Sequence, residues 1–295
     1  MQVATCAIGL TSPRVDGKIT LVGHRGTEVG EPENTLAAAL VAAKTVGFVE
    51  LDLSTTKNGD VVLMHDETLE RTTNGTGRTC DKDMSYIQSL FAKDSKGKTT
   101  TRGISKLDEV LAKLPRGTQY MLDVKVCDDG RVGSTSCVPC DVLSNGTMKA
   151  LSQNRIQWSQ ITFTSTDAAS LQHFQNHFIA RNDAATFAIS LDLSRYRHSA
   201  SKVISRLQTT GCDGVSAYLY YAFLRPDVIR TLRKTMAMRG HLYKVFGWTV
   251  RTPFQLRAVL CSGIDLVITG DPVRFKKQTI DILGPQFVNT PERSY

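Results

Sequence analysis

The segments ITLVGHRG (19–26), NTLAAALVAAKTVG (34–47) and FVELDL (48–53) follow one another near the beginning of the chain. The outer two are short runs of β-branched and apolar residues. The middle one carries apolar residues at i, i+3 and i+4 and ends on Gly47, a residue that accepts the left-handed conformation in which helices stop. Strand, helix and strand in that order form a βαβ unit, two parallel strands with a helix packed over one face.

The alternation continues outward. Further strand candidates are YMLDVKV (120–126), ITFTS (161–165), TFAISL (186–191), GVSA (214–217), YKVFGWTV (243–250) and DLVIT (265–269). Between them lie helical stretches such as SKLDEVLAKL, DVLSNGTMKALSQN, DAASLQHFQNHF, PDVIRTLRKTMAMRG and PFQLRAVLCSG, with Pro226 and Pro253 where helices begin and Gly240 and Gly263 where they end. Eight such units exceed what an open doubly wound sheet normally holds, so the expected fold class is α/β, a single (β/α)8 TIM barrel. The barrel is expected over 19–282, after an extension at 1–18 and before a tail at 283–295. Residues 67–104, rich in Thr, Gly, Lys and Asp, read as a loop excursion and not as a second domain. Reacting groups in a barrel belong at the C-terminal ends of the strands and in the loops after them.

Composition excludes several alternatives. With 295 residues, 41% hydrophobic and 22% charged, the chain has the balance of a water-soluble globular protein, not of a disordered or fibrous one. Its longest apolar run, Leu36 to Ala43, is far too short to cross a bilayer, and MQVATCAIGL lacks the pattern of a secretion signal. Read literally from Met1 the chain is expected in the cytoplasm; as a mature fragment it would be secreted. The net charge of +8 favours anionic partners, but the basic residues are scattered and no RNA-binding, helix-turn-helix or zinc-finger pattern accompanies them, so nucleic acid is not an expected partner. Seven cysteines include a lone CVPC at 137–140, which lacks the second pair that a structural zinc site needs. They are free thiols in a reducing compartment, or, in a secreted chain, Cys80, Cys127, Cys137 and Cys140 become disulfide candidates and Asn74 and Asn145 glycosylation acceptors.

The chemistry-bearing residues fall where the barrel needs them. His24 and Arg25 end the first strand. Glu50 and Asp52 sit two apart on the second, so both project to one face, and Asp123 with Lys125 repeat that spacing on the third. Three converging carboxylates without a Cys or His on those strands suit one hard divalent cation with oxygen ligands, Mg2+ or Ca2+; a salt-bridge network among the same residues and Lys125 is the alternative. His65 ends the run VVLMH and is followed by Asp66, the expected orienting partner of its ring. Two histidines and a cation suit a phosphodiester-cleaving site, in which one His attacks or deprotonates, the other protonates the leaving oxygen, and Arg25 and Lys125 neutralise charge on phosphorus. His173, His177, His198 and His241 read as structural or exposed.

Taken together, His24-Arg25-Gly26, Pro32-Glu33-Asn34-Thr35, Glu50-Leu51-Asp52 and HDETLERTTNG (65–75) resemble the ordered motifs of the glycerophosphodiester phosphodiesterase family. ISKLDEVLAKLP (104–115), Trp248 and ITGDP (268–272) extend the resemblance over nearly the whole chain. The resemblance implies a metal held by Glu50, Asp52 and Asp123, a catalytic pair in His24 and His65, and substrate contacts from Arg25, Glu33, Asn34, Lys125 and Trp248. It also implies cleavage of a glycerophosphodiester to glycerol 3-phosphate and an alcohol, with the neighbouring glycerol hydroxyl or water as the attacking group. One departure stands out: the family usually has Glu where this chain has Asp123. Phospholipase D toxins of the sphingomyelinase D type resemble the family and carry Asp there, but lack the segment present here as Glu33-Asn34-Thr35. A lysophospholipase D or sphingomyelinase D-like activity is therefore the alternative, with Tyr218, Tyr220, Tyr221 and Phe223 placed to meet an acyl chain. The expected partner is a small glycerophosphodiester or lysophospholipid, with at most peripheral membrane contact.

Overall fold

A computed structural model describes residues 18–131, 135–178, 185–191, 198–235, 240, 243–262 and 264–289, apart from the side chains of 221–223 and 261. Eight parallel strands close a barrel in the order β1 (Thr20–Gly23), β2 (Phe48–Thr55), β6 (Gln119–Val124), β7 (Ile161–Ser165), β8 (Thr186–Leu191), β9 (Gly214–Tyr218), β10 (Lys244–Val250) and β11 (Leu266–Thr269), with β11 returning to pair with β1. All eight lie within two residues of their expected bounds. The third barrel strand stops at Val124, so Lys125 belongs to the loop beyond it.

Alternation along the strands divides the side chains into two layers. Val22, Phe48, Met121, Ala188, Phe246 and Ile268 fill the barrel interior below the mouth. Their neighbours in sequence, such as Leu21, Val49, Leu122 and Val245, point outward into the larger core under the helices. Helix α1 (Leu36–Val46) illustrates the local logic: Thr35 caps it by accepting from the Ala38 N–H at 3.2 Å, and Gly47 ends it at φ 74°. The last helix, α10 (Pro272–Leu283), packs against α1, and the segment after it hydrogen-bonds Ile19 through Phe287 O and Asn289 N at 2.8 and 2.9 Å. No helix among the described residues is long and apolar enough to cross a membrane.

Of the expected helix PDVIRTLRKTMAMRG the described part forms α8 (Pro226–Leu232), and 236–239 lie outside the described residues. His241 and Gly263 lie outside the described residues, as do the extension 1–17 and the side chains of Tyr221 and Phe223. The 67–104 excursion is more ordered than its composition suggests. After β3 (Val61–Leu63) folds back antiparallel on the end of β2, the chain forms α2 (Met84–Gln88) and a hairpin of β4 (Phe91–Lys93) and β5 (Thr99–Gly103). These elements share a small apolar cluster of Val62, Met64, Leu69, Ile87 and Leu90. Its hairpin carries no period-two signal because TTTRG is solvent-facing along most of its length.

Candidate active site

Asp52 on β2 lies in register with Asp123 on β6, and Glu50 is two residues back on the same inward face. One carboxylate oxygen from each lies within 4.8 Å of the others. Lys125 folds back from the loop onto the pair: its Nζ is 2.5 Å from Asp52 Oδ1 and also contacts Asp123. Arg25 brings its Nε to 3.2 Å from Asp52 Oδ2, and its backbone N–H donates to Glu50 Oε2 at 2.7 Å.

Arg25 (φ 51°) and Asn34 (φ 58°) both occupy the left-handed region, which costs a non-glycine residue about 1 kcal/mol. The conformation turns the Arg25 N–H onto Glu50 and the Asn34 amide onto Asp52. Asn34 Nδ2 donates to Asp52 Oδ2 at 2.7 Å, and the Asp52 N–H donates back to Asn34 Oδ1 at 3.1 Å. Glu33 accepts from Arg25 at 2.7 Å and from Arg71 at 2.8 and 3.0 Å.

The electrostatics of the three carboxylates are unequal. Burial, together with the charges of Asp52 and Asp123, pushes the Glu50 carboxyl well above the usual carboxylate range, and Arg25 and Lys125 offset only part of this. Burial also opposes ionisation of Asp52, but Lys125, Arg25 and His65 outweigh it and hold Asp52 far below that range. Burial works against the Lys125 ammonium as well, and Asp123 and Asp52 keep it protonated. A salt-bridge network thus accounts for Asp52 and Asp123 and leaves Glu50 without a full counter-charge. Buried oxygen donors from three side chains, one of them under-neutralised, fit a hard divalent cation.

The two histidines are presented alike. His24 is buried and donates from Nδ1 to Glu28 Oε1 at 2.5 Å, leaving Nε2 on the side of Glu50, 4.0 Å from Oε2. Burial holds its imidazole below the ordinary value despite the Glu28 bond. His65 donates from Nδ1 to Asp66 Oδ1 at 2.6 Å, and Asp66 is gripped by Arg71, so its carboxyl falls to about 2 although burial opposes the shift. Both tautomers are therefore fixed with Nε2 available to the site.

His24, Arg25, Glu50, Asp52, His65, Asp123, Lys125 and Trp248 line one cavity of about 170 Å3 at the C-terminal mouth. Trp248 is anchored by donating from Nε1 to Ser216 O at 3.1 Å, with Tyr218 at 5.0 Å between ring centroids. Glu33 and Asn34 do not line this cavity; they stand behind it, holding Arg25 and Asp52. A larger cavity of about 610 Å3 lies at the opposite end among the strand beginnings, such as Thr20, Gln119 and Lys244, away from every carboxylate of the triad. Sequence reasoning missed Glu28 and Arg251. Arg251 donates to Glu28 at 2.8 and 2.7 Å across 223 positions, a closeness that only the closed barrel creates. His173 pairs with Asp141 at 2.8 Å, away from the site.

A (β/α)8 barrel with an acidic triad, two tethered histidines and two cations at its C-terminal mouth is a barrel protein equipped for phosphoester chemistry. Residues 24–274 match the glycerophosphoryl diester phosphodiesterase family, and the chain belongs to it. It is similar to glycerophosphodiester phosphodiesterase 1 of Bos taurus, 47% identical over 85 residues, or 28% of this chain and 25% of that protein. The matched stretch thus spans about a quarter of that relative's length. A glycerophosphodiester phosphodiesterase of Caldanaerobacter subterraneus subsp. tengcongensis is 25% identical over 257 residues, covering 86% of this chain and 95% of that protein. Among solved structures, an Oleispira antarctica phosphodiesterase in complex with the product sn-glycerol-3-phosphate superposes with a TM-score of 0.69 at 19% identity, over 90% of this chain and 98% of that one.

Proposed function

We propose that this protein hydrolyses glycerophosphodiesters to glycerol 3-phosphate and an alcohol with the help of one divalent cation, Mg2+ or Ca2+. The observation that carries the reading is the convergence on one cavity of the Glu50, Asp52 and Asp123 carboxylates with two histidines, each tied at Nδ1 to its own carboxylate. A cation held by those three carboxylates would supply Lewis-acid stabilisation of charge on the phosphoryl oxygens. Arg25 and Lys125 add fixed positive charge beside the same oxygens. His24, kept neutral by burial, takes a proton at Nε2 from the attacking water or glycerol hydroxyl. His65, at the more open edge, acts as its imidazolium: Asp66 holds the Nδ1–H, and the second proton, taken up from solvent at Nε2, passes to the leaving oxygen. Glu33 and Asn34 act through Arg25 and Asp52, as positioning residues.

The aromatic ledge supports a second reading, cleavage of a lysophospholipid head group. Tyr218 packs against Trp248 with the rings tilted at 59°, and Tyr220 beside it is 50% exposed. One experiment tests both readings: glycerol 3-phosphate release from glycerophosphocholine and choline release from lysophosphatidylcholine, each with EDTA and with Mg2+ or Ca2+ restored. Metal-restored activity on the first substrate is expected. Turnover confined to the second would replace the diesterase reading with the lipid one, and loss of neither activity in His24→Ala and His65→Ala would remove the histidine roles.

The cysteine pairing bears on compartment. Disulfides join Cys80 to Cys137 and Cys127 to Cys140, with Cα–Cα distances of 6.0 and 5.0 Å, while Cys212 is buried. Paired cysteines support residence in an oxidising compartment, and so the secreted alternative. Thiol titration of the denatured native protein, with and without reductant, tests this; free thiols at Cys80 and Cys137 would refute it.

A further inference from the structure

A second cavity, about 240 Å3, opens on the far side of His65. His65 and Lys125 line both this cavity and the catalytic one, so the two share a wall made of a histidine and an ammonium of the proposed site. Its other walls come from the end of β2, from the turn after β3, through Met64 to Glu67, and from Val126, Thr135, Ser136 and Val138 in the loop after β6. The two disulfides staple these loops: Cys80–Cys137 ties the β6 loop to the excursion, and Cys127–Cys140 closes the loop on itself.

The chemistry of the walls is asymmetric. Leu53, Val126 and Val138 supply apolar surface, and Val126 is 50% exposed. The cations nearby are already engaged: Lys125 with Asp52 and Asp123, Arg71 with Glu33 and Asp66, Arg78 with Asp81 at 3.0 and 3.2 Å. Glu67 also lines the cavity and makes no ion pair with any described residue; its Oε1 lies 4.0 Å from the disulfide sulfur Cys137 Sγ. The Glu67 charge acts on Arg78, but Asp81 already holds that guanidinium, so the excess charge of the cavity is negative: an exposed carboxylate at the rim of a wall that includes Leu53, Val126 and Val138. That combination suits a small organic cation, which gains Coulomb attraction from the carboxylate and covers the apolar wall with its carbon substituents.

We infer that this cavity is the leaving-group subsite, and that Glu67 makes it select alcohols bearing an ammonium group. The inference rests on the function proposed above. With phosphorus beside Arg25 and Lys125 and the leaving oxygen at His65 Nε2, the rest of the alcohol has to pass His65, and the cavity beyond His65 is where it arrives. The glycerol moiety stays on the Trp248 side.

The test compares kcat/KM on glycerophosphocholine and on glycerophosphoglycerol, whose leaving group is neutral, for the native enzyme, Glu67→Gln and Ser136→Glu. The native enzyme is expected to favour the cationic substrate. Glu67→Gln should lower the ratio by about fivefold, the size of an exposed ion pair, and Ser136→Glu, which adds a carboxylate to the same wall, should raise it. A ratio that is the same in all three proteins, or that favours the neutral substrate, overturns the inference. Saturation-transfer NMR with free choline needs no turnover and separates the two levels of the argument. If neither diester is cleaved but choline binds and Glu67→Gln weakens it, the proposed function fails and the cation site stands. If diesters are cleaved and choline shows no Glu67-dependent binding, the cation site falls and the function stands.

Discussion

His24 Nδ1 and Glu28 Oε1 are 2.5 Å apart, and Arg251 holds the same Glu28 carboxylate from the other side with two N–H groups at 2.8 and 2.7 Å. The ring of a buried histidine has no other charged anchor at that nitrogen, so Glu28 sets both its tautomer and its aim. Glu28→Gln keeps an acceptor but loses the charge that binds Arg251. It should lower kcat by about tenfold or more with little change in KM, since general acid–base catalysis contributes roughly 10²–10⁴ and depends on orientation. Steady-state kinetics check this, and 15N shifts of His24 should report a change in tautomer population; an unchanged kcat and spectrum would rule the role out.

The same carboxylate makes a stability prediction with a definite sign. Burial opposes the Glu28 charge, but hydrogen bonds from His24 and Arg251 outweigh it and hold the carboxyl well below its usual range. A depressed folded-state value means the stabilisation is complete above the unfolded-chain value of about 4.3 and is lost as pH falls below it. The Tm gap between the native protein and Glu28→Gln should be widest near neutrality and close as pH is lowered through the acid range. A gap that widens on acidification contradicts the assignment.

Glu50 predicts the opposite behaviour. Burial and the charges of Asp52 and Asp123 raise its carboxyl, so without a cation it retains its proton to higher pH than a free carboxylate. Divalent-cation binding must then expel that proton, and affinity should rise with pH until Glu50 ionises unaided. Titration calorimetry in buffers of different ionisation enthalpy should reveal proton release on binding Mg2+ or Ca2+. Glu50→Gln removes the buried acid; it should raise Tm of the metal-free protein at and above neutral pH while abolishing the stabilisation that metal gives. A Glu50→Gln protein with undiminished metal affinity would exclude Glu50 as a ligand.

How much of this was legible in the sequence follows from the physics of each feature. Glu50 and Asp52 sit two apart on a strand, and a period of two is visible without a structure. Asp123 beside Asp52 follows once consecutive strands of a barrel are known to be neighbours. The spacing of Asp123 and Lys125 predicts a strand residue at 125, whereas Lys125 reaches the carboxylates from the loop after Val124, which its long side chain allows. The partnership of Glu28 with Arg251 leaves no local trace, because it joins the loops after the first and seventh barrel strands. Glu33 and Asn34 were legible as residues of the site but not as residues behind it, because distance from the cavity depends on the left-handed turn at Asn34. Cysteine connectivity has no sequence rule at all, since four cysteines allow three pairings.

Those pairings carry their own prediction. Cys127–Cys140 closes 13 residues and Cys80–Cys137 closes 57. By loop entropy each should contribute on the order of 3–4 kcal/mol, the longer loop more. Cys80→Ser with Cys137→Ser frees the excursion that directly follows His65 and Asp66 and carries Arg71, the partner of Asp66, so it should lower Tm and raise KM together. Cys127→Ser with Cys140→Ser should lower Tm by less. Scanning calorimetry with and without reductant checks the order, and a native Tm indifferent to reductant would show that neither bond supports the fold.

Asn34 separates positioning from binding. Its amide both donates to the Asp52 carboxylate and accepts from the Asp52 N–H, and it does so from a left-handed backbone that Asn and Asp tolerate better than most residues. Asn34→Asp preserves shape, backbone preference and the acceptor, and replaces the single donor by a like charge facing Asp52. Stability should fall by about 1–3 kcal/mol, the penalty of an unsatisfied buried group, and the repulsion should turn Asp52 away from the cation. The measurable consequence is a higher metal concentration for half-maximal activity, together with a lower Tm. Asn34→Ala, which removes the donor without adding charge, should lower Tm while shifting the metal requirement less. If the two variants needed the same metal concentration as the native enzyme, Asn34 would be a loop residue and not the brace of Asp52.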